Sequence, residues 1–338
     1  MTEPMTQIRR ELLKILTVVN RPLQNASSNI HFAIQTLKPN LIVSLARRSS
    51  DHVEAYHKHT SKLLVVTKIT PIGPSMALIY HHKLNLIGSI YLSVSKLGKN
   101  LKVFEIERKS RTGDAISMKN DSGSSQTQVS DHTVILHAGP ERSVTDTKKF
   151  VSSPIKDIYL VTPWVHDNVL LAIIKDFLAN FNKTVKIDWP DVRFALRDRG
   201  SIFCPGRDPT FTIANKAVLK FKEFCPEHAK SYLASGILYA PVSNVDNGLP
   251  VIAFTTHDNF EGTLISVANE LASKGTITSA TSTNVHKTTV LPAIRTCHPL
   301  TNPIALIASF FTMIEGTAAS CGINLDALHY RKKVIETV

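Results

Sequence analysis

The chain has 338 residues, 43% of them hydrophobic, which is enough for the cores of two ordinary domains and too many for a disordered chain. Its 39 basic and 27 acidic residues leave a net charge of +12. That excess attracts small anions, but the basic residues are scattered and no nucleic-acid reader motif accompanies them, so nucleic acid is not an expected partner. No uninterrupted apolar run reaches membrane-spanning length, and no membrane partner is expected. The charged, amphipathic start MTEPMTQIRRELLKIL reads as a helix rather than a signal peptide. Cys204, Cys225, Cys297 and Cys321 lie far apart with no CxxC pair. This speaks against a zinc site or a disulfide framework and fits a reducing, cytoplasmic setting. No metal or cofactor is expected.

In chain order, residues 6–35 read as helices. Leu41–Leu45 is a short apolar strand. Ser49–Asp51 can cap a helix over His52–Lys62. Leu63–Ile69 and Leu86–Ser95 read as further strands, followed by a loop at Lys96–Asn100 and a helix to about Arg111. Ala115–Lys119 and His132–His137 are strand-like, with a Ser/Gly-rich turn between them. Residues 144–182 read as helical, with Pro154 and Pro163 expected to break or kink them. A second cycle then starts. Ser201–Cys204 is a strand, Gly206–Asp208 a turn and Ile213–Glu223 a helix. Val251–Thr255 (strand), Thr263–Ser273 (helix), Thr276–Ala280 and Thr288–Ile294 (strands) and Asn302–Cys321 (helix) complete it. Strands alternating with helices predict parallel, doubly wound sheets, with ligands at the carboxyl ends of the strands. The expected organisation is a helical segment at 1–35, a first α/β domain at 36–185 and a second at 186–338.

The most informative pair is Lys220 and Glu223. A spacing of three puts both on one face of the helix. An amine beside a carboxylate can hold an anionic substrate and move its protons. The same spacing also describes a solvated surface ion pair, worth about 0–1 kcal/mol.

The loops carry a further pattern. ARRSSDH (46–52), PSMALIY (74–80), SVSKLGKN (93–100), HAGPERSVTDTK (137–148), LKFKE (219–223), HAKSYLASGILYAP (228–241) and DALHYRKKVIET (326–337) follow one another. In order and spacing they resemble the double sugar-isomerase (SIS) domain family. That family includes the isomerase half of glutamine:fructose-6-phosphate amidotransferase and the glucosamine-6-phosphate deaminases of this type. The resemblance implies two flavodoxin-like, three-layer αβα domains. It also implies a phosphorylated-sugar substrate and a homodimer whose site is completed by the partner subunit.

Residue by residue, the resemblance makes Glu223 the base that shuttles a proton between C1 and C2, and Lys220 a substrate-binding residue. Tyr239 stands where the family has the ring-opening histidine, and Lys333 matches a near-terminal lysine that contacts the carbonyl. Ser95, Lys96, Gly98 and Asn100 occupy the phosphate loop, Ser49 and Ser50 the other sugar-binding loop. Glu141 and Val144 match the family's AGxE region. Departures accompany these matches. Leu97 replaces a phosphate-binding serine, Arg48 a glycine, Asp208 the second glycine of a GRG turn, and Lys216 a glutamate. Two functions are therefore open: isomerisation or deamination of an amino-sugar phosphate such as glucosamine 6-phosphate, or sugar-phosphate binding with impaired catalysis.

Overall fold

The computed structural model describes residues 6–15, 17, 41–45, 49–64, 68–71, 89–93, 113–119, 128, 130–135, 138–139, 147–162, 165–197, 199–225, 227–239, 245 and 247–325. The chain forms two compact units: one holds the first sheet, and the other joins Met1–Leu13 to Ile173–Tyr330.

In the first unit, β1 (Leu41–Leu45) leads into α2 (Ser49–Leu64), followed by β2 (Lys68–Pro71), β3 (Ser89–Ser93), β4 (Gly113–Lys119), β5 (His132–Ile135) and α3 (Lys148–Val161). Every strand pair is parallel and the order is β2-β1-β3-β4-β5. Renumbered from its own first strand this is 2-1-3-4-5, the flavodoxin-like order, whose switch point lies between β1 and β3.

The second unit repeats the plan. After α4 (Asn168–Thr184) and α5 (Pro190–Ala195) come β6 (Ser201–Gly206), α6 (Pro209–Phe224), β7 (His228–Leu233), β8 (Pro250–Ala253), α7 (Glu261–Ser273), β9 (Ile277–Ala280), β10 (Thr289–Val290) and α8 (Asn302–Ser320). The sheet order β10-β9-β8-β6-β7 is again all parallel and again 2-1-3-4-5 when counted from β6. Its switch point lies between β6 and β8. The α/β class with parallel, doubly wound sheets is thus as the sequence predicts.

The core of this unit packs Phe203, Ile237, Leu249 and Val251 against Leu264, Val267 and Leu271 of α7. On α8, nearly every residue from Asn302 to Ala318 is buried. This helix is long and apolar enough to cross a bilayer, but most of it is covered by the rest of the protein. It is the core helix against which α6, α5 and α1 (Gln7–Leu13) pack. Arg9 anchors α1 there: its Nε donates to Glu315 Oε2 at 2.7 Å and its Nη1 to the Val185 carbonyl at 2.8 Å.

Several elements differ from expectation. Leu63 and Leu64 end α2 instead of starting a strand, and the strand described after them is Lys68–Pro71. Ser49, Ser50 and Asp51 form the first turn of α2, so they are not caps preceding it. Pro154 lies inside α3 without ending it. The edge strand β7 and the short α5 are additional elements. Gly113 and Asp114 extend β4, and the strand around residue 289 shrinks to Thr289–Val290. The helices expected at 18–35 and 101–111, and Pro163, lie outside the described residues.

Candidate functional site

Helix α6 carries the Lys220–Glu223 pair. Pro209 sits at its first position, where a missing N–H is harmless and φ is already helical. Thr210 closes the turn before it: the Arg207 N–H donates to Thr210 Oγ1 at 2.9 Å, and that hydroxyl donates to the Arg207 carbonyl at 2.9 Å. A Cβ at Gly206 would lie 2.7 Å from the Thr210 carbonyl oxygen, so only glycine lets the helix start this close to β6. Asp208 has φ +50°, a left-handed value that costs a non-glycine residue on the order of 1–3 kcal/mol. This explains why the resembling family has a second glycine at that point. The helix stops at Cys225, which is extended because Pro226 follows.

Seven positions on from Ile213, the apolar face of α6 is interrupted by Lys220. Its side chain is fully buried, whereas Glu223 retains 15% exposure. The ammonium donates to Glu223 Oε2 at 2.9 Å. It also lies 5.2 Å from the centroid of the Phe224 ring and 5.9 Å from that of Phe311 on α8. The solvated surface pair that spacing alone allows is therefore not what forms. A desolvated ammonium is tolerable only with a carboxylate and polarisable faces around it. One turn earlier, Lys216 is likewise fully buried on the same helix.

The other predicted residues are less tightly gathered. Tyr239 follows the short 3-10 turn Gly236–Leu238 and is 78% exposed. Its backbone N–H donates to the Gly236 carbonyl at 3.4 Å. Ser49 and Ser50 open α2 directly after the β1 loop, at the switch point of the first sheet; their side chains lie outside the description. Ser95, Lys96, Gly98, Asn100, Glu141, Val144 and Lys333 lie outside the described residues. Among the described residues, no group of three metal-ligating side chains occurs.

Sequence reasoning missed a polar network at the carboxyl ends of β8 and β9. Thr281 Oγ1 accepts from the Thr255 N–H at 2.9 Å and donates to the Thr255 carbonyl at 2.9 Å, tying the strand ends together. Glu261, in the first turn of α7, takes Ser282 Oγ at 2.7 Å and Arg295 Nη2 at 3.0 Å on one oxygen, and His257 Nδ1 at 3.0 Å on the other. Burial pushes the Glu261 carboxyl up, but the Ser282 and His257 hydrogen bonds and the Arg295 charge outweigh it, so the group sits below the ordinary carboxylate value of 4.5. The stability this adds is present above that ordinary value and is lost as pH falls through the lower folded value. Glu261→Gln is expected to lower the melting temperature at pH 7 and to converge with the unsubstituted protein in acid. Equal losses at pH 7 and pH 3 would contradict this. Arg207 reaches over the Phe260 ring at 4.5 Å, so the loops on either side of the switch point touch. The available signal was a strand, VIAF, followed by the polar TTHD and a glutamate at a helix start.

No family model matches the chain. Among solved structures, a protein from Silicibacter pomeroyi DSS-3 that is assigned as a phosphosugar isomerase is 34% identical, with a TM-score of 0.89, over 95% of this chain and 100% of that one. Glucosamine-6-phosphate deaminase from Thermotoga maritima shares the fold, with a TM-score of 0.74 at 14% identity, over 96% of this chain and 99% of that one. Among curated proteins, the glutamine–fructose-6-phosphate aminotransferase (isomerizing) of Sulfurisphaera tokodaii is 25% identical over 186 residues, 53% of this chain and 31% of that enzyme. The chain spans about a third of the length of the curated relatives it matches. Two flavodoxin-like sheets, the LKFKE helix and a full-length relative at 34% identity lead to one conclusion: the chain belongs to the sugar-isomerase-domain family of phosphosugar isomerases.

Proposed function

We propose that the chain is a phosphosugar isomerase or deaminase acting on an amino-sugar phosphate such as glucosamine 6-phosphate. The observation that carries this reading is the Glu223 carboxylate, held 2.9 Å from a fully buried ammonium and still reaching the surface. With the sugar ring open, Glu223 takes the C2 proton. The electron pair moves into the C1–C2 bond and the C1 carbonyl oxygen takes up a proton, giving an enediol or enolamine. The proton returned at C1 leaves the unsaturation at C2. For a 2-amino sugar the product is a C2 imine, and water hydrolyses it to a ketone and ammonia. Lys220 binds substrate and offsets the developing negative charge.

In the same reading Tyr239 acts on the ring oxygen and Lys333 meets the carbonyl. Ser95, Lys96, Gly98 and Asn100 take the phosphate, with Ser49, Ser50, Glu141 and Val144 around the sugar. The reading includes a homodimer with a shared site and a cytoplasmic setting; free thiols at Cys204, Cys225, Cys297 and Cys321 agree with the latter. The names of two structural relatives, a phosphosugar isomerase and a glucosamine-6-phosphate deaminase, support the reaction class.

A second reading is binding without turnover. Two observations favour it: the exposed Tyr239 in the histidine's place, and the buried Lys216 where the family has a glutamate. A coupled assay for fructose 6-phosphate and ammonia, run beside thermal-shift measurements with a panel of hexose phosphates, separates the two. Turnover of glucosamine 6-phosphate is expected. Stabilisation without turnover would replace the first reading by the second, and no response to any phosphosugar would remove both.

A further inference from the structure

We propose that Phe224 and Phe311 are positioning residues of the candidate site: their rings hold the Lys220 ammonium where it fixes the Glu223 carboxylate. The inference rests on the reading of Glu223 as the base and adds to it residues that the LKFKE motif does not include.

A lysine has four rotatable carbons and a compact charge, so one hydrogen bond does not define where its head sits. Here the stem is fully buried and the head is bracketed by rings from two helices. Phe224 adjoins Glu223 at the end of α6, 5.2 Å from Nζ, and Phe311 lies on α8, 5.9 Å from it. The negative potential of a ring face attracts an ammonium most strongly where water is excluded. Both rings are themselves immobilised, being almost wholly buried in the core between α6 and α8. Phe310 packs edge-on against Phe221 at 5.3 Å and touches Phe311 at 6.2 Å and Phe254 at 6.1 Å. Phe254 continues to Trp189 at 6.2 Å, whose indole N–H donates to the Pro292 carbonyl at 2.9 Å. The cage is therefore braced by Phe254 just after β8, by Trp189 just before α5 and by the loop preceding α8. It does not depend on the ammonium for its shape. Glu223, less buried than its partner, presents the carboxylate outward with its counter-charge locked behind it.

Leucine keeps most of the apolar volume but has no ring face, whereas tyrosine keeps the ring. Phe224→Leu and Phe311→Leu should each lower kcat roughly tenfold with KM little changed, while Phe311→Tyr should retain kcat. The second measurement does not need a substrate. In protein labelled at the lysine side chains, the Lys220 ε-methylene resonance, assigned by its loss in Lys220→Arg, should lie upfield from ring currents. It should move toward the ordinary lysine position in both leucine variants but not in Phe311→Tyr. A Lys220 resonance at the ordinary position, or one unmoved in the leucine variants, would overturn the cage whatever the assay gives. A moved resonance with unchanged kcat would overturn the positioning role. If the unsubstituted protein turns over no phosphosugar, the reading of Glu223 fails on its own and the resonances still decide the cage.

Discussion

Glu223→Gln is expected to reduce kcat on glucosamine 6-phosphate by about a hundred- to ten-thousand-fold, the span that a positioned general base supplies. The substitution keeps the length and one acceptor oxygen, so substrate affinity should hold while proton transfer fails. It should also destabilise the fold, which a solvated base would not do. The Lys220 side chain has no exposure and its ammonium sits 2.9 Å from Glu223 Oε2. The substitution removes the carboxylate charge that this desolvated cation faces at 2.9 Å. Breaking such a pair outright costs about 3–5 kcal/mol, and the retained acceptor lowers that toward about 1–3 kcal/mol. Lys220→Met should behave differently. Glu223 is 15% exposed and can turn to water, so stability should fall less although turnover falls as well. Steady-state kinetics with urea midpoints on both variants test this. Turnover of Glu223→Gln equal to the unsubstituted protein would remove Glu223 as the base. Equal midpoints for all three would show that the pair is not desolvated in solution.

How much of this was legible depended on where the deciding contact lies along the chain. Leu41–Leu45 is a compact apolar run before a polar segment, and it is a strand with the predicted bounds. Leu63–Ile69 has the same local character but divides, because Leu63 and Leu64 are good helix formers that finish α2. His228–Leu233 carries lysine, histidine and serine, which hides a strand. It is an edge strand in which Ala229 alone is buried, so it lacks a full apolar face. Pro154 was expected to break or kink its stretch; it does not break it, since a proline removes only one donor and α3 runs on past it.

The site divides in the same way. The LKFKE motif put Lys220 and Glu223 on one helix face. It could not distinguish a surface pair from a buried one, because part of the cover comes from Phe311, far downstream on α8. The Glu261 network joins Ser282 and Arg295 across separate loops, and no short motif records such a meeting.

His57 and Asp157 supply the second large effect. His57 projects from α2 and Asp157 from α3, the imidazole is fully buried, and His57 Nδ1 faces Asp157 Oδ1 as an ion-pair contact without hydrogen-bond geometry, while Nε2 and Asp157 Oδ2 have no hydrogen-bond partner among the described residues. Nothing in the proposed chemistry uses this pair; it clips two helices of the first unit together. Its surroundings are costly for polar groups. Burial raises the neighbouring Tyr56 hydroxyl well above its ordinary value, with the Asp157 charge adding to it. Burial also lowers Lys156, the residue before Asp157, to about 8. In such a setting, removing either partner strands the other without water to replace it. His57→Leu and Asp157→Val are each expected to cost about 3–5 kcal/mol, a large share of an ordinary domain's stability of about 5–15 kcal/mol. The double replacement should be far milder than the sum, because an apolar pair of similar volume carries no desolvation penalty. Denaturant unfolding of the two single variants and the double variant forms a complete cycle. A coupling near zero, with the single effects adding in the double variant, would mean that the imidazole and carboxylate do not depend on one another. A double variant as stable as the unsubstituted chain would show that the pair specifies how α2 meets α3 without adding net stability, since the apolar contact between the helices already holds them.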